Sequence, residues 1–221
     1  MINGYNVEVR LLAITGLCQP LRPFSEGLTS PPSEEVIEYA GRLCWDTTDK
    51  VGTTPDRIQK WIEVGHESVI EHASATFYIR ASRVLTHELV RHRLASYSQR
   101  SQRRVKESEP RYVTPPELAA TVTNENRHVA NSGARDTFEK AMQDAWAAYR
   151  KLLNLGIKPE IARYVLPGAC ETQIVMTMNF RELRHFIKLR TSDRALPEMR
   201  AVAGEIRRIM KELAPNVFED L

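Results

Sequence analysis

Cysteine is scarce in this 221-residue chain: Cys18, Cys44 and Cys170 stand far apart and form no C-x-x-C pair. A disulfide framework or a structural zinc site is therefore not expected. Cys44, inside an apolar helical pattern, reads as a small buried hydrophobe. Long apolar runs are missing too, and none approaches the roughly 20 residues a membrane-spanning helix needs. The first residues, MINGYNVEVR, have neither the basic flank nor the apolar core of a secretory signal. These absences point to the cytoplasm and to no membrane partner. Glycine-rich phosphate cradles are also absent: no G-x-G-x-x-G follows a strand pattern, and no G-x-x-x-x-G-K-[ST] occurs. A bound dinucleotide would have to rest its phosphates on arginines, helix termini and loop amides. HELVRH at 87–92 fails as a zinc-protease motif, because His87 and His92 are five apart, about 140° around a helix. His66 and His72, six apart, read as polar site or surface histidines, and no metal is expected.

What is present is ordinary globular material with an uneven charge. Hydrophobic residues make up 42% and charged residues 27%, which excludes a disordered chain. The length suits one domain that buries roughly 70% of its unfolded surface. The formal net charge is only +3, yet arginine outnumbers lysine 23 to 8, a bias toward the planar donor that grips phosphate and carboxylate bidentately. Residues 80–111 hold eight arginines and one lysine against three glutamates, a local +6. A solvated face is the simpler reading of charge alone. Concentration of the arginines in one stretch favours an anion site over a general nucleic-acid surface.

Alternation of Tyr5, Val7, Val9 and Leu11 predicts a strand. Ser33 caps an expected helix burying Val36, Ile37, Ala40, Leu43 and Cys44. A second has Thr54 as cap, Pro55 at its first position, Ile58, Trp61 and Ile62 inside and Gly65 as stop. Ala73, Ala75, Phe77 and Ile79 alternate as a strand, and the period turns helical from Arg83 to about Ala95. Residues 96–117 read as a long polar loop with a short strand, the kind of loop that is usually functional or disordered. Further helices are expected over Ala134–Asn154, from Pro159, from the Asn179/Glu182 capping pair to Arg190, and from Pro197 to Pro215. A strand covers Thr172 to Met178. The pattern is α+β: one domain with a small, mostly antiparallel sheet and several packed helices.

The densest chemistry is RHRLASYSQRSQR at 91–103, where three cations in the last turn of the expected helix precede hydroxyl, amide and guanidinium groups. A helix dipole would account for cations in a last turn, at about 0.3–1 kcal/mol each. It does not account for the loop that follows. Arg91-His92-Arg93, seven residues and then Ser101 resembles the R-H-R-x7-S signature of the flavin-dependent thymidylate synthases. GHESVIEH (65–72), ARYVLP (162–167) and NFRELRHFIKLR (179–190) resemble three further blocks of that family, in order. Together the four blocks span residues 65–190, more than half of the chain.

The resemblance implies an enzyme that makes dTMP from dUMP. It would take a methylene from 5,10-methylenetetrahydrofolate and a hydride from FAD that NADPH reduces, in a homotetramer with active sites between subunits. Flavin contacts would fall to Ser68, Glu71, Arg91, His92, Arg93, Gln99, Asn179, Arg181 and His185. The uracil nucleotide would meet Glu88, Leu89, Val90, Arg91, Gln99, Arg100, Ser101, Gln102, Arg103 and Arg163. Arg190 would polarise the uracil ring as the catalytic cation, Ser101 would position dUMP without a covalent bond, and His66 would serve folate or proton movement. Arg104 and Arg100 depart from the family's aromatic and apolar preferences, and Ser68 and His185 replace Thr and Asn. Two alternatives stay open: a basic-patch nucleic-acid binder, weakened by the absence of interleaved aromatics, and a related flavoprotein acting on another pyrimidine nucleotide.

Overall fold

Period-two burial builds the two central strands. In β2 (Ser74–Ser82) Ala75, Phe77, Ile79 and Ala81 are buried while their neighbours are half-buried. The strand that ends the chain's sheet-forming part, Glu171–Asn179, repeats this with Thr172, Ile174, Met176 and Met178. The structure is a computed structural model that describes residues 1–18, 31–54, 56–118, 121–124, 127–130 and 132–221, with backbone alone for 121–124, 127–130 and 132. Pro55, expected to open the second helix, lies outside the described residues.

Along the chain come β1 (Glu8–Ile14), α1 (Pro32–Leu43), α2 (Arg57–Glu63), a 3-10 turn (Glu67–His72), β2, α3 (Arg83–Leu89) and β3 (Ala95–Gln99). Then follow β4 (Thr121–Asn124), β5 (Arg127–Ala130), α4 (Ser132–Asn154), α5 (Pro159–Ala162), β6 (Glu171–Asn179), α6 (Phe180–Arg190), α7 (Pro197–Leu213) and α8 (Pro215–Phe218). The main sheet runs β1-β2-β6-β3. Thr15 pairs with Ser74 while Arg80 reaches Glu8, so β1 and β2 are antiparallel. Thr76 meets Thr177 while Arg80 reaches Glu171, so β2 and β6 are antiparallel as well. The α+β expectation is met; the separate antiparallel hairpin of β4 and β5 was not expected. Among the described residues no helix is long and apolar enough to cross a membrane.

Contacts divide the chain into two compact units. The first comprises 1–8, 79–91 and 98–174. In it α4 buries Met142, Trp146 and Tyr149 at helical spacing, and the last two pack with Ala162 and Cys170. Ser82 caps α3 by accepting the Leu85 N–H at 3.0 Å. The helix stops at Leu89, not near Ala95, and the Arg91–Arg93 motif follows it in irregular backbone. The expected last-turn position, and with it the helix-dipole explanation of those cations, is corrected.

The second unit comprises 9–78, 92–97 and 175–221. Leu183, Phe186 and Ile187 of α6 and Met199, Val202, Ile206 and Met210 of α7 are fully buried, and the two helices pack together. Helix α1 departs from its expected apolar face: Leu43 and Cys44 are exposed, whereas Glu34, Glu38 and Arg42 are buried. These charges are tolerable because each is partnered. Glu38 pairs with Arg42 at 2.6 Å, and Glu34 accepts from the backbone and side chain of Asn216 at 2.8 Å. Gly65, with φ +82°, ends the helical stretch after α2 as expected.

Candidate functional site

In the second unit, β6 delivers Asn179 to the start of α6, where its Oδ1 accepts the Glu182 N–H at 2.9 Å. This terminus borders a cavity of about 700 Å³ whose lining includes Glu67, Glu71, Asn179, Arg181, His185 and Lys188. Four of the flavin candidates, Glu71, Asn179, Arg181 and His185, are thereby gathered, and Ser68 is exposed on the 3-10 turn that supplies Glu67 and Glu71. Arg181 donates to Glu71 at 2.6 Å and lies 3.5 Å from Glu67. The pair is half-exposed, so it is weak and exchangeable for a phosphate. Arg184 also borders the cavity, but Asp220 and the Val217 carbonyl engage it. Cations for phosphates and carboxylates for ribose hydroxyls are the donor set a phosphorylated flavin requires, and these residues fit one.

Beside this cavity's helix lies a three-residue chain. Arg190 Nε donates to His92 Nε2 at 3.0 Å, and His92 Nδ1 lies 3.2 Å from Glu182 Oε1. Arginine has no acceptor, so Nε2 must carry the lone pair and Nδ1 the proton that Glu182 receives. His92 is thus neutral and of one tautomer. Burial pushes its pKa down, the Glu182 hydrogen bond pulls the other way, and the Arg190 charge lowers it again. Both ring nitrogens are engaged, and Phe186 packs edge-on at 5.1 Å between ring centres. Arg93 is exposed.

The first unit holds the nucleotide candidates apart from Arg190. Gln99, named for both ligands, donates its amide to Thr86 at 2.9 Å and to Thr172 at 3.3 Å. Arg100 grips both oxygens of Glu107 at 2.6 and 2.5 Å, and the Glu107 N–H donates to the buried Tyr149 hydroxyl at 3.1 Å. Between these residues, the Ser101 carbonyl accepts from Arg104 and Val105, closing a turn that contains Gln102 and Arg103. Gln102 is buried with its Nε2 unpartnered, and it borders a cavity of about 210 Å³ with Arg100 and Trp146. Arg103 is exposed and donates to Glu160 at 3.1 Å, while Arg163 Nε donates to the Glu160 carbonyl at 3.2 Å. Leu89 is wholly buried, which leaves only its backbone for a ligand; Val90 and Arg91 are exposed, and Glu88 is half-buried on α3. His66, His72 and His87 are all at the surface.

Three residues escaped the sequence reading. Glu182 was read only as a capping partner, but its carboxylate holds His92. Lys188 borders the larger cavity one helical turn beyond His185. Arg83 has its pKa lowered by burial and then by the Arg163 charge. A count of arginines over 80–111 contained that signal without resolving it.

Clustered guanidiniums, amides and exchangeable carboxylates on an α+β scaffold are a donor set suited to phosphorylated ligands. Residues 28–216 match the family described as thymidylate synthase complementing protein. The chain is 43% identical to the flavin-dependent thymidylate synthase of Geobacter sulfurreducens over 86% of its own length and 83% of that protein. The enzyme of the same name from Corynebacterium efficiens is 41% identical, covering 85% and 79%, and that of Mycobacterium tuberculosis is 39% identical, covering 97% and 89%. This chain belongs to the flavin-dependent thymidylate synthase family.

Proposed function

We propose that the chain, acting as one domain, catalyses dUMP + 5,10-methylenetetrahydrofolate + NADPH + H⁺ → dTMP + tetrahydrofolate + NADP⁺. FAD, when bound, supplies the hydride. Asn179, Arg181 and His185, with Glu71 and Ser68, hold it, and Arg91 and Arg93 add charge to the same task. Arg83, Ser101, Arg103 and Arg163 hold the nucleotide phosphate and sugar, and Ser101 forms no covalent bond. Arg190 stabilises the negative charge that develops on the uracil ring and makes C5 nucleophilic, an effect that is largest where water is excluded. The observation that carries this assignment is the 3.0 Å contact from Arg190 to a neutral His92, which orients the guanidinium. The protein is a cytoplasmic homotetramer with neither nucleic acid nor membrane as partner. Pairing of Arg100, Arg103 and Arg111 with glutamates supports the absence of a polynucleotide partner, because it cancels charge a polynucleotide would use.

Purified protein should carry the yellow flavin absorbance and convert dUMP to dTMP when supplied with methylenetetrahydrofolate and NADPH. A colourless protein that cannot be loaded with FAD would contradict the proposal. Competition of dUMP against other pyrimidine nucleotides fixes the substrate.

A further inference from the structure

The second unit has another cavity, of about 450 Å³, whose lining includes His66 but none of the flavin or nucleotide residues assigned above. Its walls include Trp45, Lys50, Arg57, Lys60 and Trp61, and among the described residues no carboxylate lines it. The acidic residue on the adjoining face of α1 is already occupied. Glu38 accepts from Arg42 through Oε1 at 2.6 Å and from the Gly52 N–H through Oε2 at 2.8 Å. Arg42 in turn donates to Thr54 at 3.1 Å. No ion pair engages Lys50, Arg57 or Lys60 among the described residues. Positive charge gathered without compensation in a concave site attracts anions.

Two further observations narrow the ligand. Arg57 Nε is buried with no hydrogen-bond partner, a donor that folding has left unanswered. The Arg57 guanidinium carbon lies 5.9 Å from the centre of the Trp61 ring. Trp61 is held in place by Gly41 of α1, where an added Cβ would come within 2.4 Å of the indole. Trp45, by contrast, is 73% exposed, a large flat surface left to solvent. An indole face beside three uncompensated cations complements a planar ring that carries negative charge.

We propose that this cavity binds a heteroaromatic polyanion, with its ring against Trp45 and its negative groups on Lys50, Arg57 and Lys60. The proposal rests on the reaction above, which consumes two such molecules: a folate with carboxylates and a reduced dinucleotide with phosphates. The volume is in the range of small-molecule pockets and takes one ring system with its adjoining anion.

The test uses flavin-loaded protein and two probes that need no turnover, folinic acid and NADP⁺, each followed by equilibrium dialysis. Lys50→Gln combined with Lys60→Gln, and separately Trp45→Ala, should weaken one probe about tenfold or more. Lys60→Arg should retain binding, and FAD content and dUMP affinity should stay as in the parent protein. The probe that loses affinity names the source, folate or dinucleotide. Unchanged affinity for both probes, or a parallel loss of FAD or dUMP, overturns the proposal. Because dialysis does not depend on dTMP formation, an inactive protein that still loses probe affinity would sink the reaction and leave the cavity standing.

Discussion

Arg100 in the first unit and Arg190 in the second are both held in place, but by opposite partners. Arg100 grips both oxygens of the Glu107 carboxylate, and Arg190 donates to a neutral imidazole nitrogen of His92. A carboxylate partner positions a guanidinium and cancels its charge in the same contact. A neutral imidazole partner positions it with no charge cancelled in that contact. The first arrangement suits a loop that must hold its shape; the second suits a cation that must act on a developing negative charge. Arginines of this chain are therefore held in two ways, one by a carboxylate and one by a neutral imidazole.

Removing the imidazole-held cation should have the largest effect. Arg190→Ala should lower dTMP formation by a factor on the order of 10²–10³ while the flavin absorbance remains, as expected for a lost electrostatic contact to developing charge. Near-normal turnover would erase the distinction between the two arginines. Next comes the group behind it: Glu182→Gln should lower kcat about tenfold, because an amide facing His92 no longer enforces the tautomer that accepts from Arg190.

The same residue sets the pH response. Burial leads the causes that hold the His92 pKa below the ordinary histidine value of 6.5. A depressed folded value means that the contribution of neutral His92 to stability is complete above that ordinary value. It is lost as the pH falls from there through the folded value. Protonation also ends the Arg190 contact, so activity should decline over the same acid window. Glu182 raises the His92 pKa, so Glu182→Gln should move the acid limb of the pH–rate profile to lower pH; an unmoved limb would detach His92 from catalysis.

Arg91→Ala should weaken both flavin and dUMP binding by about tenfold each in direct titrations, the size of one lost charge-assisted contact. Loss of neither would move the site elsewhere. The smallest effect belongs to the carboxylate-held arginines. Glu160→Gln should lower KM for dUMP about twofold by freeing the exposed Arg103, since such surface pairs are worth little.

Much of the fold was legible because its signals are local. Alternation in β2 and β6, the Asn179 cap and the last turn of α6 at Arg190 all depend on residues a few positions apart. Helix α3 was overrun because Leu94 was counted as core. It is 73% exposed and borders the larger cavity, while the polar Thr86 is fully buried against Gln99. Helix α1 misled for a related reason, since Glu34 is satisfied by Asn216, 182 residues away. The site followed the same rule. Sequence blocks named Arg190 and His92, but their contact joins residues 98 apart, and the Glu182 contact joins residues 90 apart. No periodicity records such pairs, so the difference between a carboxylate-held and an imidazole-held arginine had to come from geometry.

The most direct measurement of that difference is the ¹⁵N NMR spectrum of His92 at neutral pH in histidine-labelled, flavin-loaded protein. An unprotonated Nε2 beside a protonated Nδ1 is the predicted result. A protonated Nε2, in either the other tautomer or the imidazolium, would contradict the account, because Arg190 would then have no acceptor at that nitrogen.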